Sequence, residues 1–205
     1  MISNGKFYES QFEEATIELL REAHWQYAFG DDIHRKYTDP LIEEDLRNFL
    51  AVQYKDKNLT TSEMDSIVAN LRNTGGQNDY YALRNTFLLY RDGYDFAYSD
   101  GRSNPFRLEY IDFEHPDHNI FRCVNQFVME QGRENRRPDI LLFINGIPVC
   151  IIELKNPTKQ NATIHDAHTQ ICTRYMRDIP ALLKYCALAV ISDGAKNALG
   201  ATYTP

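Results

Sequence analysis

No stretch of this sequence approaches the roughly 20 consecutive apolar residues that a membrane helix requires. The N-terminus, MISNGKFYESQFEEA, has no apolar core of the kind a secretory signal carries. No C-x-x-C pair offers the spacing of a zinc site. The four cysteines (Cys123, Cys150, Cys172 and Cys186) are scattered, three of them in apolar contexts. That is the usage expected of reduced core thiols in a cytoplasmic protein. There is no internal repeat and no low-complexity tract. Positive charge is in short supply: 22 Lys and Arg face 29 Asp and Glu, a net of −7. Such a balance argues against a broad surface for nucleic acid.

What is present is 205 residues, 43% hydrophobic and 25% charged, the composition of an ordinary globular chain of one good-sized domain or two small ones. The charge is uneven. Residues 133–184 contain eight Lys and Arg against five Asp and Glu, a net of +3, so the remainder carries −10. A phosphate ligand therefore has one place to go, the basic part of an acidic chain.

Residues 8–27 show a helical period, with Ser10 and Glu13 at capping-box spacing. Three further helices are expected between 39 and 95. The first has Asp39 as N-cap and Pro40 in its first turn. The second starts at 60–62 and stops at Gly75–Gly76, and the third ends at Gly93. This polar block reads as an insertion on a core rather than a domain with its own. Residues 106–113 and 120–130 alternate like strands. A hairpin follows, then a helix from about Ala162 to Met176. The run YCALAVISDG (185–194) has the composition of a buried strand. The expected fold is an α/β sandwich with a mixed central sheet flanked by helices, its core spanning 106–194 and its helical insertion 39–95. The chain ends on GATYTP without a closing helix, which suggests a longer protein.

The hairpin RRPDILLFINGIPVCIIELKNP (136–157) is mostly apolar, yet it carries Asp139 near one end and Glu153 and Lys155 near the other. Asn145-Gly146 is its turn. A two-residue type I′ turn puts Asp139 opposite Ile152 and sends Glu153 to the other face. A three-residue loop with Gly146 left-handed puts Asp139 opposite Ile151, on the face of Glu153 and Lys155. Only the second register gathers the three charges, and it is the one expected here. Unpaired carboxylates facing a core are costly. A cation relieves that cost: both can reach one Mg²⁺ at about 2.0–2.1 Å, with Lys155 facing the same point. The bland alternative is a solvated strand end.

The segment resembles the nuclease motif of the PD-(D/E)XK superfamily, and in detail the N-terminal domain of the restriction (R) subunit of type I restriction enzymes. The likeness extends to YIDFEHPDHNIFRCVNQFVME (110–130) and RYMRDIPALLKYCALAVISDGAKNALG (174–200). It implies a restriction-endonuclease-like fold, Mg²⁺-dependent cleavage of double-stranded DNA, and methyltransferase (M) and specificity (S) subunits as partners. It also implies an ATP-driven translocase downstream. No Walker A pattern occurs here, so ATP would be bound by the full-length enzyme and not by these residues. By the resemblance, Asp139, Glu153 and the Leu154 carbonyl hold the metal and Lys155 is the catalytic lysine. The family pairs a Gln and a Tyr at Q-x-x-x-Y on the next helix. Here Gln170 is followed by Tyr175, one residue further, so a regular α-helix turns them about 140° apart and puts Arg174 on the face of Gln170. Glu13 and Glu14 are candidates for a carboxylate from the first helix.

Arg133, Arg136, Arg137 and Arg174 are candidate phosphate contacts. His165 and His168 stand one turn apart at the helix start, without an evident third zinc ligand, and suit a contact with DNA better. Two other readings compete with a nuclease of this system. One is a non-catalytic docking module for motor or methyltransferase subunits. The other is a nuclease of the same fold from another DNA-processing system.

Overall fold

The computed structural model describes residues 9–155 and 164–202. Six strands form one mixed sheet in the order β1 (Gln26–Phe29), β4 (Phe121–Asn125), β7 (Ile140–Ile144), β8 (Ile147–Leu154), β9 (Leu188–Ser192) and β10 (Asn197–Ala201). The pairs β1–β4 and β8–β9 are parallel and the other three antiparallel. Two short ribbons lie outside this sheet: β2 (Tyr94–Phe96) with β3 (Phe106–Leu108), and β5 (Met129–Gln131) with β6 (Glu134–Arg136).

Alternation along β7 and β8 sorts their side chains between two covers. Leu141, Phe143 and Ile151 point into one buried cluster with Ala167, Ile171, Tyr175, Ile179 and Leu182. Those partners come from a helical run of α5 (Ile164–Thr169), a π-helical turn (Gln170–Tyr175), α6 (Met176–Asp178) and α7 (Pro180–Leu183). Ile140, Cys150, Ile152 and Leu154 point the other way, onto Ile17 and its neighbours of α1 (Glu9–Glu22). Helix, sheet and helix thus make three layers.

The helices α2 (Glu43–Gln53), α3 (Thr61–Asn73) and α4 (Asp79–Asp92) pack beyond the hairpin turn. They contribute Leu46, Phe49, Leu50, Ile67, Val68, Leu71 and Tyr90 to a third cluster, which the β2–β3 ribbon joins through Phe96 and Leu108 and which Tyr110, Ile147 and Tyr185 close from the sheet side. The block therefore shares this cluster with the ribbon and the hairpin. Thr60 and Glu63 form a full capping box at the start of α3, and Gly93 ends α4 at φ 68°.

Several sequence expectations need correction. Helix α1 stops at Glu22, because His24 takes the left-handed position (φ 67°) and Trp25 N–H returns to the Leu20 carbonyl. That six-to-one closure is usually made by Gly, so the residues read as the helix end form β1. Ser10 lies inside α1 rather than before it. Asp39 does not cap α2, which begins at Glu43; its carboxylate accepts from Leu41 N–H (3.1 Å) and pairs with Arg72. The 120–130 stretch is two strands broken at Gln126 (φ 55°). In the 106–113 stretch only 106–108 is a strand, and it lies in a ribbon outside the main sheet. Strand β9 is buried only at its Ile191–Ser192 end, with Leu188 47% exposed. The start expected for the helix near Ala162 lies outside the described residues.

Candidate active site

The hairpin turn has two residues, Asn145 and Gly146, both left-handed (φ 51° and 75°), and it pairs Ile144 with Ile147. This is the type I′ form, not the three-residue loop. Taken alone, it would separate Asp139 from Glu153. The register shifts once, however: Phe143 pairs with Pro148, and Leu142 with Cys150. Val149 is thus an extra residue, a bulge in β8. Beyond it Ile140 pairs with Ile152, so the register carried one step further sets Asp139 opposite Glu153. A one-residue slip reverses the face, and here the bulge restores the face that the turn gives up. The signal in the sequence is Pro148. It has no N–H for the ladder, and inside an interior strand proline is confined to bulges.

Both carboxylates lie on the face covered by α5 and the π-helical turn. Asp139 stands two residues before Leu141, and Glu153 two after Ile151, in the same cluster. Asp139 Oδ2 accepts from Leu154 N–H (2.8 Å), and its carbonyl accepts from Gln126 N–H (3.1 Å). Glu153 is fully buried. Its Oε2 accepts from Gln170 Nε2 (2.6 Å) and, at 3.4 Å, from Lys155 Nζ. Its Oε1 is buried with no hydrogen-bond partner among the described residues. Burial pushes the Glu153 carboxyl up to about 8; the charge of Asp139 adds to the rise, and Lys155 and the Tyr175 hydroxyl oppose it. Lys155 follows the last residue of β8, with its N–H on the Ser192 carbonyl (2.8 Å) and its side chain 12% exposed. Its ammonium therefore stands at the mouth of a carboxylate pair.

Tyr175 is in this group too. Gln170 Nε2 donates to the Tyr175 hydroxyl oxygen (2.7 Å) as well as to Glu153. The 140° separation of a regular helix does not arise, because Gln170–Tyr175 is wound as a π-helical turn, where Met176 N–H reaches the Ile171 carbonyl five residues back. One extra residue per turn brings positions five apart onto one face. Arg174, the residue that α-helical spacing would put there, is exposed instead. Burial raises the Tyr175 hydroxyl well above its ordinary value, and Glu153 adds to the effect.

From the other cover, Glu13 of α1 accepts from Asn125 Nδ2 (2.9 Å) and Gln126 Nε2 (3.1 Å). It reaches the Asp139 end of the hairpin through Gln126, whose backbone holds the Asp139 carbonyl. Glu14 is exposed and takes no such part. Gln126 is the residue the sequence did not single out, because its left-handed backbone is unusual for a glutamine.

Arg136 is engaged in ion pairs with Glu134 (2.6 Å) and the buried Asp178 (2.5 Å), tying β6 to α6. Arg133, Arg137 and Arg174 are exposed. His165 and His168 are also exposed, and His168 Nε2 lies 3.4 Å from Cys172 Sγ. All four cysteines are free thiols, three of them buried.

The chain is similar to endonuclease subunits of type I restriction enzymes. It is 32% identical over 203 residues to the HindI endonuclease subunit of Haemophilus influenzae, covering 94% of this chain and 19% of that protein. A protein of Methanocaldococcus jannaschii, provisionally named as such a subunit, is 31% identical over 196 residues, 92% of this chain and 19% of its own length. The SsaAORF53P endonuclease subunit of Staphylococcus saprophyticus is 26% identical over 155 residues, 74% of this chain and 15% of that protein. The chain thus spans about a fifth of the length of the first two. Residues 6–205 match the family model described as the type I restriction enzyme R protein N terminus, and the chain belongs to that family.

Proposed function

We propose that this chain is a Mg²⁺-dependent endonuclease domain of the PD-(D/E)XK type, which hydrolyses phosphodiester bonds of double-stranded DNA. The observation that carries the reading is Glu153, a fully buried carboxylate facing Asp139 whose Oε1 has no hydrogen-bond partner among the described residues. Leaving such an atom bare costs on the order of 1–3 kcal/mol or more, which a cation would offset. The donor set fits Mg²⁺, which takes oxygen ligands: Asp139, Glu153 and the Leu154 carbonyl would hold it. When bound, Mg²⁺ supplies positive charge for the phosphoryl oxygens and a more acidic water.

The chain's own groups do the rest. The Lys155 ammonium stands where charge develops on the phosphoryl group and stabilises it. Gln170, anchored by the Tyr175 hydroxyl, fixes the Glu153 carboxylate in one orientation. Glu13 and Gln126 hold the Asp139 end from the opposite layer. Arg137 and Arg174 are available for backbone phosphates, and Arg136 acts on the fold. The net charge of −7 offers little non-specific affinity for DNA. Delivery of DNA therefore falls to ATP-driven segments and to M and S subunits in the complete enzyme. These residues alone should cleave slowly or not at all.

The test is a nicking assay beside an ATPase assay on the full-length enzyme. Asp139→Ala, Glu153→Ala and Lys155→Ala should each lower cleavage by roughly 10³-fold or more while ATP hydrolysis continues. Undiminished cleavage in the Glu153→Ala and Lys155→Ala enzymes would exclude the assignment. Loss of both activities would mark a folding defect.

A further inference from the structure

Far from the proposed nuclease site, the loop joining β3 to β4 gathers Asp112, His115 and His118, with one ligating atom from each lying within 4.8 Å of the others. We propose that these three residues form a second metal site, for a first-row transition ion such as Zn²⁺ or Co²⁺ rather than Mg²⁺. The loop is bound to the turn end of the hairpin: Asn145 Nδ2 donates to Asn119 Oδ1 (2.7 Å) and to the Tyr110 carbonyl (2.9 Å). At about 3.3 Å per residue, the six steps from Asp139 to Asn145 put this turn roughly 20 Å from Asp139.

The geometry comes from the chain. His118 N–H bonds the His115 carbonyl (2.9 Å), a single turn of 3₁₀ helix over 116–118. That bond brings His118 back beside His115, whose own backbone is not helical, and both imidazoles stand on one side. Asp112 waits beneath them, its side chain 4% exposed. Its Oδ1 accepts from the N–H groups of Glu114 (3.1 Å) and His115 (2.8 Å), and its Oδ2 from Gln53 Nε2 (3.1 Å). Those bonds fix the carboxylate as outer partners fix a ligand, and they leave Oδ2 turned to the rings. His118 Nδ1 is 3.1 Å from it and His115 Nδ1 3.5 Å. Neighbouring ligands of a tetrahedral Zn²⁺ with bonds of 2.0–2.1 Å stand about 3.3 Å apart.

Before an ion binds, the 3.1 Å contact of His118 Nδ1 with Asp112 Oδ2 is a hydrogen bond, and His115 and His118, with side chains 60% and 51% exposed, add little to the core. Their rings are stacked, centroids 4.9 Å apart and 17° from parallel. Parallel rings cannot aim both in-plane lone pairs at one ion, so binding must turn at least one ring about χ2. That torsion is soft and the rings face solvent. Two imidazole nitrogens and one carboxylate oxygen select Zn²⁺, Co²⁺ or Ni²⁺ over Mg²⁺.

The experiment is a Co²⁺ titration of the chelator-stripped 205-residue chain, followed by visible absorption, by competition with Zn²⁺, and by NMR of the imidazole nitrogens. In the Glu153→Gln chain, which lacks the proposed Mg²⁺ site, one ion is expected to shift His115 and His118 together. In that chain His115→Ala and His118→Ala should each weaken binding about tenfold or more, and the double variant should abolish it. Circular dichroism should show the double variant folded, since both side chains are exposed. Binding should persist in a His168→Ala, Cys172→Ser chain and in Glu153→Gln. Unaltered Co²⁺ binding in the folded double variant overturns the proposal. So does a Glu153→Gln chain whose His115 and His118 resonances ignore stoichiometric Co²⁺.

Discussion

Gln170 Nε2 lies 2.7 Å from the Tyr175 hydroxyl oxygen although the two are five residues apart, and the same amide holds Glu153 at 2.6 Å. A local change of helix type makes this one network. A polar triad inside a layer of Ile171, Leu141 and Ile151 must satisfy itself or carry a cost, and Gln170 is the donor that serves the other two.

Gln170→Ala should therefore destabilise the chain by about 1–3 kcal/mol in urea unfolding, because it strips a donor from two buried oxygens. Arg174→Ala, at the exposed position one residue before Tyr175, should stay within about 0.5 kcal/mol. A double-mutant cycle with Tyr175→Phe should show coupling to Gln170 and none to Arg174. The reverse pattern would mean that the helix is regular.

Without divalent metal, stability should fall as pH rises from about 4.5 to about 8. Glu153 moves from its ordinary 4.5 up to about 8 in the fold. Between those values the folded chain keeps a proton that the unfolded chain has released, so raising the pH favours unfolding. The full span is on the order of 3–5 kcal/mol. Melting temperature in EDTA, followed across this window, should show the slope in the native chain. Glu153→Gln, which is uncharged throughout, should lose that contribution.

Millimolar Mg²⁺ should raise the melting temperature at pH 8 by mass action, its stabilisation reaching about 2.7 kcal/mol at a hundred times the dissociation constant. It should do so less at pH 5, where a proton competes for Glu153. Glu153→Ala and Asp139→Ala should abolish the response. A native chain indifferent to Mg²⁺ at both pH values would count against the metal site.

Deleting Val149 should remove the bulge yet leave Asp139 opposite Glu153, because only the unpaired residue goes and Leu142 still meets Cys150. The strand then follows the register of the two-residue turn throughout, with both carboxylates on one face. The Mg²⁺ response of the melting temperature should therefore survive in the deletion variant. A folded variant that has lost the response would show that pairing across the hairpin does not set the site.

Much of the fold could be read along the chain, because its signals are local. Thr60 with Glu63, Gly93 after α4, and Asn145-Gly146 between two apolar runs each prescribe a backbone conformation through nearest neighbours. An atypical signal misleads: His24 replaces the glycine of a helix end, so the helical period runs on into β1. Strand β10 is exposed throughout and has no buried face to mark it.

That Asp139, Glu153 and Lys155 flank an apolar hairpin, and that Gln170 and Tyr175 follow on one helix, is legible along the chain, and the family likeness joins them. That they meet follows from the fold alone. Which face a strand residue takes depends on the parity of its register, and which face a helix residue takes depends on the residues per turn. One extra residue at Val149 changes the first, and one extra residue between Gln170 and Tyr175 changes the second. Each is a defect in a regular repeat, held in place by packing against the layer opposite, and no local period reveals it.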